Sequence, residues 1–172
     1  ESLFLQRLVN DLLDLTKLQN SDFKMESEDL NLYEVLSDLE RSSRALAKEK
    51  NIEVHMHADK DLYVVNGDYG RLRQMFLVVL DNAIKFSPKQ GQIMIQLTEN
   101  QVTISDQGPG IAPQDIPYIF DRFYRVKSED NKAGSGLGLA IAKQIADRHR
   151  IQVEVHSELG TGTTFHFVFP KD

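Results

Sequence analysis

The sequence predicts an α/β fold in which helices cover one face of a mixed sheet. Stretches with an apolar residue at every second position alternate along the chain with stretches whose apolar residues recur every three or four. Two pairs of strand-like stretches are joined by short turns, at Glu99-Asn100 and Gly160-Thr161-Gly162, so those neighbours are antiparallel. Two glycine clusters, Asp106 to Ile111 and Gly134 to Leu139, fall where a strand ends and where a helix begins. Glycine at such junctions lets backbone N–H groups approach a phosphate, and a helix start adds the positive end of its dipole. A nucleotide is the expected ligand.

In chain order, residues 1–20 read as a helix with Leu5, Leu8, Leu12 and Leu15 on a heptad seam, widened by Phe4, Val9, Leu13 and Leu18. Its partner is expected upstream or in another subunit; the alternative is a helix folded back on the globular part. Residues 21–29 are polar and read as a linker. The globular domain spans 30–172. Asn31, three residues before Glu34, caps a helix with the stripe Val35, Leu36, Leu39 and Leu46 that ends near Lys50. Ile52, Val54 and Met56 alternate as a strand, and Tyr63 to Val65 is a second. His55 and His57 share a strand face without an evident third metal ligand and read as exposed polar residues.

Asp68 caps the next helix, whose apolar positions are Leu72, Met75, Phe76, Val79, Leu80 and Ala83 and which stops at Ser87-Pro88. Strands follow at Gln92 to Thr98 and Gln101 to Ser105. Pro113 opens a short helix through Phe120. Arg125 to Gly134 has the composition of a mobile loop, Leu137 to His149 returns to helix, and Ile151 to Val155 and Thr163 to Val168 are strands.

Bulk properties narrow the function. The 172 residues are 41% apolar, enough for one good core with an appendage, and no run is long enough to cross a bilayer. The net charge of −6, without a basic stripe, argues against a nucleic-acid partner. The absence of cysteine excludes disulfides and thiolate chemistry. With no signal peptide and a first residue Glu1, the sequence reads as a piece of something longer.

Candidate chemistry gathers in three places. Asn82, Lys85 and Phe86 fall within little more than one helical turn. The amide oxygen of Asn82 suits a magnesium ion already held by phosphates, and Lys85 offers them a positive charge, although a lysine near a helix C-terminus is equally at home in solvent. Asp106, at a strand end beside glycine, can accept from the exocyclic amine of adenine where guanine presents a carbonyl; alone, it reads equally as an Asx-turn residue. Phe120, Phe123 and Tyr124 read as core aromatics, and Arg125 can neutralise a transferring phosphoryl group.

Together these segments resemble the nucleotide-binding catalytic domain of bacterial sensor histidine kinases. The N box of that family resembles Asp81-Asn82-Ala83-Ile84-Lys85-Phe86-Ser87, and its first glycine box Asp106-Gln107-Gly108-Pro109-Gly110. Its phenylalanine box is similar to Phe120-Asp121-Arg122-Phe123-Tyr124-Arg125-Val126, and its second glycine box to Gly134 through Leu139. The resemblance covers roughly residues 30 to 170. Residues 3–18 resemble the second helix of the family's dimerisation and phosphoacceptor hairpin.

The resemblance implies a two-layer sandwich of the Bergerat type, with ATP and Mg²⁺ held between two helices and a lid at residues 126–135. Asn82 would ligate magnesium, Lys85 and Arg125 would meet the phosphates, and Asp106 would read adenine. Phe86 and Ile111 would line the base pocket, with Thr163 helping through water. Gly108, Gly110, Gly134, Gly136 and Gly138, with Leu137 among them, would let the lid and helix start close on the phosphates. The implied partners are a phosphoacceptor histidine segment, a response regulator and a second copy in a homodimer, on the cytoplasmic side of a sensor that can be membrane-bound.

Two departures stand out. Val78 replaces a second asparagine that many members carry four residues before the N-box asparagine, which would weaken magnesium binding. The related ATP-hydrolysing branch has a glutamate there, and valine cannot act as a general base, so efficient hydrolysis is not expected. The family's phosphoacceptor lies in a His-Glu or His-Asp context that none of His55, His57, His149, His156 and His166 occupies. A regulatory nucleotide-binding module without phosphotransfer and a structural dimerisation piece are the competing readings.

Overall fold

The computed structural model describes residues 2–124 and 136–171. The order of elements is α1 (Ser2–Gln19), β1 (Ser27–Asn31), α2 (Leu32–Glu49), β2 (Glu53–Ala58), β3 (Val64–Asp68), α3 (Tyr69–Phe86), β4 (Gln92–Thr98), β5 (Gln101–Ser105), a 3₁₀ turn (Ile116–Tyr118), α4 (Gly138–Arg148), β6 (Gln152–Glu158) and β7 (Gly162–Val168). Five strands form one sheet in the order β2-β4-β5-β7-β6, with β2 parallel to β4 and the other neighbours antiparallel. The expected mixed sheet is thus present.

Alternation places Ile93, Ile95 and Leu97 of β4, Val102 and Ile104 of β5, and Phe165 and Phe167 of β7 on one buried face. That face meets Leu72, Met75, Phe76, Val79 and Leu80 of α3 and Ile141 and Ile145 of α4 in a single core. Phe76 packs edge-on to Phe167 with ring centroids 5.0 Å apart. The caps foreseen at Asn31 and Asp68 are both made: Asn31 Oδ1 accepts from the Tyr33 amide and Asp68 Oδ1 from that of Arg71.

Two local differences have physical causes. Of the residues read as linker, 27–29 belong to β1, which pairs antiparallel with β3 as a separate two-stranded sheet. Ser27, Glu28 and Asp29 are exposed and held through their backbones, so no apolar period marks them. The helix expected from Pro113 to Phe120 shrinks to the 3₁₀ turn, in which Pro117 removes a donor.

The N-terminal helix divides along its length. Leu15 and Leu18 are buried, whereas Leu3, Leu5, Val9, Leu12 and Leu13 are exposed. The buried end is tied to the domain by Asp14, whose oxygens accept from Arg71 Nη1 at 2.6 Å and Gln74 Nε2 at 2.7 Å. Arg148, at the end of α4, donates through Nη1 to the carbonyls of Leu18 (3.0 Å) and Asn20 (3.1 Å) and through Nη2 to that of Phe23. The guanidinium carbons of Arg71 and Arg148 lie 5.3 and 5.9 Å from the centroid of the Phe23 ring. Arg148→Ala should therefore loosen α1 by roughly 2 kcal/mol, since charged donors to three carbonyls are lost together. Limited proteolysis between residues 19 and 27 should accelerate several-fold, and an unchanged rate would refute the clamp.

Candidate nucleotide-binding site

The alternation that builds the core also builds the floor of the site. Val102 and Ile104 face inward from β5, Val153 and Val155 from β6, and Phe165 and Phe167 from β7. Extending each alternation by one step reaches Asp106, Ser157 and Thr163. The pairing of Ser105 with Thr164 and of Ser157 with Thr163 sets these three side by side, a polar row closing an apolar face.

Asp106 uses one oxygen structurally. Its Oδ1 accepts from the Gly108 amide at 2.8 Å and from the Thr163 amide at 3.2 Å. No described residue donates to Oδ2, which remains an acceptor for a ligand. Burial raises the pKa of this carboxyl above its ordinary range, while the two amides oppose the rise. The Asx-turn reading and the ligand reading are therefore compatible, one on each oxygen.

The first glycine loop is pinned to the β6–β7 hairpin. Gly160 donates to the Pro109 carbonyl at 2.8 Å, and the Ile111 amide donates to Ser157 Oγ at 2.7 Å. A Cβ on Gly108 would stand 3.0 Å from the Phe86 carbonyl, so this loop also fits tightly over the end of α3. Gly110, expected to admit a phosphate, has a steric reason of its own: φ is +80° and a Cβ would lie 2.3 Å from the Glu158 carbonyl.

On the helix layer, Asn82, Lys85 and Phe86 are half-buried near the end of α3. Lys85 Nζ stands 5.3 Å from the centroid of the Phe86 ring. The end of that helix is capped by Lys50, which sequence reasoning missed: its Nζ donates to the carbonyls of Ile84 (2.9 Å) and Lys85 (2.8 Å). A lysine at the end of α2 carries no local sign of this role.

The start of α4 lies against α3, because a Cβ on Gly138 would come within 3.3 Å of Val78 Cγ1. Leu137, at the N-cap position of α4, is buried, and its apolar side chain makes no cap hydrogen bond. Gly136 has φ +78°, and its carbonyl accepts from the Phe123 amide at 2.8 Å, joining the phenylalanine box to the second glycine box. Arg125, Gly134 and the expected lid, 126–135, lie outside the described residues.

An acceptor on the sheet floor, a first glycine loop packed closely over the end of α3, and the N-terminus of α4 lying against Asn82's helix together suit a nucleotide. Among the described residues, no group of three or more His, Cys, Asp or Glu is placed to hold a metal. The side-chain amide of Asn82, half-buried near the end of α3, carries an oxygen of the donor type that a magnesium ion held mainly by phosphates and water accepts.

Comparison with known proteins agrees. The sequence pattern of the family described as histidine kinase-, DNA gyrase B-, and HSP90-like ATPase matches residues 67–172. Drug sensory protein A of Synechocystis sp. is 37% identical over 95% of this chain and 27% of its own length. The sensor histidine kinase WalK of Bacillus subtilis is 35% identical over 95% of this chain and 28% of its own. The crystal structure of full-length ShkA in complex with AMPPNP superposes with a TM-score of 0.83 at 29% identity, over 98% of this chain and 37% of that one. The chain belongs to this family, as a catalytic nucleotide-binding domain of the sensor histidine kinase type. It spans well under half the length of these relatives.

Proposed function

We propose that this domain binds ATP with Mg²⁺ and transfers the γ-phosphoryl group to a histidine on a phosphoacceptor segment, for relay to a response regulator. The observation that carries this reading is Asp106, whose two backbone bonds converge on Oδ1 and leave Oδ2 to accept from the 6-amino group of adenine. Phe86 and Ile111 would flank the base, and Thr163 would assist at the floor. Gly108, Gly136 and Gly138, with Gly134, would admit the phosphates to the start of α4. Asn82 would ligate magnesium, with Lys85 and Arg125 offsetting the triphosphate charge. Magnesium would neutralise the phosphates, and the protein would contribute mainly positioning and preorganised charge.

The phosphoacceptor is proposed to be a different histidine from the five in this sequence. The ring of His149 is already committed: Nε2 accepts from the Asp68 amide at 3.0 Å, and Nδ1 contacts the Ile145 carbonyl at 2.8 Å. His55 and His57 are exposed on β2. The apolar stripe left open on α1 suits a helical hairpin and a second copy of the protein.

Asn82→Ala should remove the magnesium enhancement of AMPPNP binding, a loss of roughly tenfold, while metal-free binding persists. Calorimetric titration with and without Mg²⁺ checks this, and equal enhancement in both proteins refutes the assignment. Transfer from labelled ATP to a supplied histidine-bearing hairpin then tests catalysis. Val78, standing where many members of the family carry a second asparagine, favours a second reading, nucleotide binding without transfer; binding without labelled hairpin would support it.

A further inference from the structure

Ser157 Oγ has three hydrogen-bond partners, and satisfying all three at once sets the direction of each. The Ile111 amide, 2.7 Å away, donates to Ser157 Oγ. The Gly162 carbonyl, 3.1 Å away, has no proton to give, so Ser157 donates to it. Its single proton is then committed. The remaining contact, 2.8 Å to Thr163 Oγ1, closes only with threonine as donor. Thr163 consequently faces the site with lone pairs alone. Beside it, Asp106 Oδ2 is also an acceptor, because both described amides that bond this carboxylate meet Oδ1. The polar groups of the sheet floor therefore all accept. A base with an amino group at its sixth position satisfies them, whereas a carbonyl there sets lone pair against lone pair.

We infer that Ser157 is a positioning residue for base selection: it orients the Thr163 hydroxyl as an acceptor and, through Ile111, holds the first glycine loop against that floor. The inference rests on the proposed purine site and adds a residue outside all four boxes.

The test compares binding of AMPPNP and its guanosine counterpart to the parent chain and to variants by calorimetry. In Ser157→Ala, the Thr163 proton is free to point into the site, and the adenine-over-guanine preference should shrink by roughly tenfold. Ser157→Thr keeps the hydroxyl and should keep the preference. A purely structural role would weaken both nucleotides in the same proportion, so an unchanged ratio in a folded Ser157→Ala protein overturns the inference. Should that variant not fold, Thr163→Val removes the acceptor at nearly constant shape and should narrow the ratio similarly; an unchanged ratio there is equally fatal. If the parent chain binds neither nucleotide, the purine-site reading falls first and takes this inference with it.

Discussion

Asp106→Asn should weaken AMPPNP binding by at least about a hundredfold while leaving the protein folded. An asparagine can place its amide oxygen where Oδ1 now accepts from Gly108 and Thr163, so the internal bonds survive. Its NH₂ group then replaces Oδ2, and a donor faces the adenine amine. The guanosine analogue, which presents a carbonyl, should lose far less. Near-parental affinity for the adenine nucleotide would remove Asp106 from base recognition.

The same carboxylate has a pH signature. Burial holds its folded-state pKa above the ordinary value of 3.8, so ionisation is harder in the folded than in the unfolded chain. A group shifted this way contributes stability that is full below its unfolded pKa and is lost as pH rises through the folded pKa. Asp106→Asn, which never ionises, should therefore melt higher than the parent at pH 7, with the gap closing below about pH 4. Nucleotide affinity in the parent should fall on acidification at a higher pH than an ordinary carboxylate would give. A gain in stability coupled to a loss of binding would identify Asp106 as a group held in an unfavourable setting for its function.

Gly162→Ala is expected to be the most destabilising single methyl in the site. Its φ is +143°, and a Cβ would stand 2.1 Å from the Asp106 carbonyl oxygen and 3.1 Å from Gln107 Cα. Both are backbone atoms that cannot step aside, so the β6–β7 hairpin would have to part from the first glycine loop. A loss of about 3 kcal/mol or more is expected, with nucleotide binding lost alongside it. Gly160→Ala is the control: φ is similarly unusual at +81°, yet nothing lies within 4 Å, so only the backbone cost of about 1–2 kcal/mol remains. Calorimetric melts of the two should differ clearly, and equal losses would refute the close approach at Gly162.

How much of this could be read from residues alone follows from where each cause resides. Asn31 and Asp68 cap their helices through donors two and three residues away, so both caps were readable. The Glu99-Asn100 hairpin is likewise local, joining β4 and β5 as expected. The boxes were recognisable because a backbone that packs closely on its neighbours or turns at positive φ restricts residue choice at each step, as at Gly108 and Gly110. The expected early helix at Pro113 and the featureless linker at 27–29 failed for opposite reasons: Pro117 interrupts the first, and backbone pairing across 37 positions, as in Asp29 with Asn66, orders the second.

The sequence by itself determined the alternation of elements and the inward faces of β4, β5 and β7, since these depend on periodicity and on chemistry within a few positions. Tertiary structure alone decided which oxygen of Asp106 is bonded by described amides, why Gly110 and Gly162 admit no side chain, that Lys50 caps α3, and that Ser157 meets both Ile111 and Thr163. It also decided how α1 divides, with Leu15 and Leu18 buried and the Leu18 carbonyl held by Arg148 while Leu3, Leu5, Val9, Leu12 and Leu13 stay exposed. Each of these depends on strand register and layer packing, which place groups up to 130 positions apart within hydrogen-bond distance and leave no trace in local pattern.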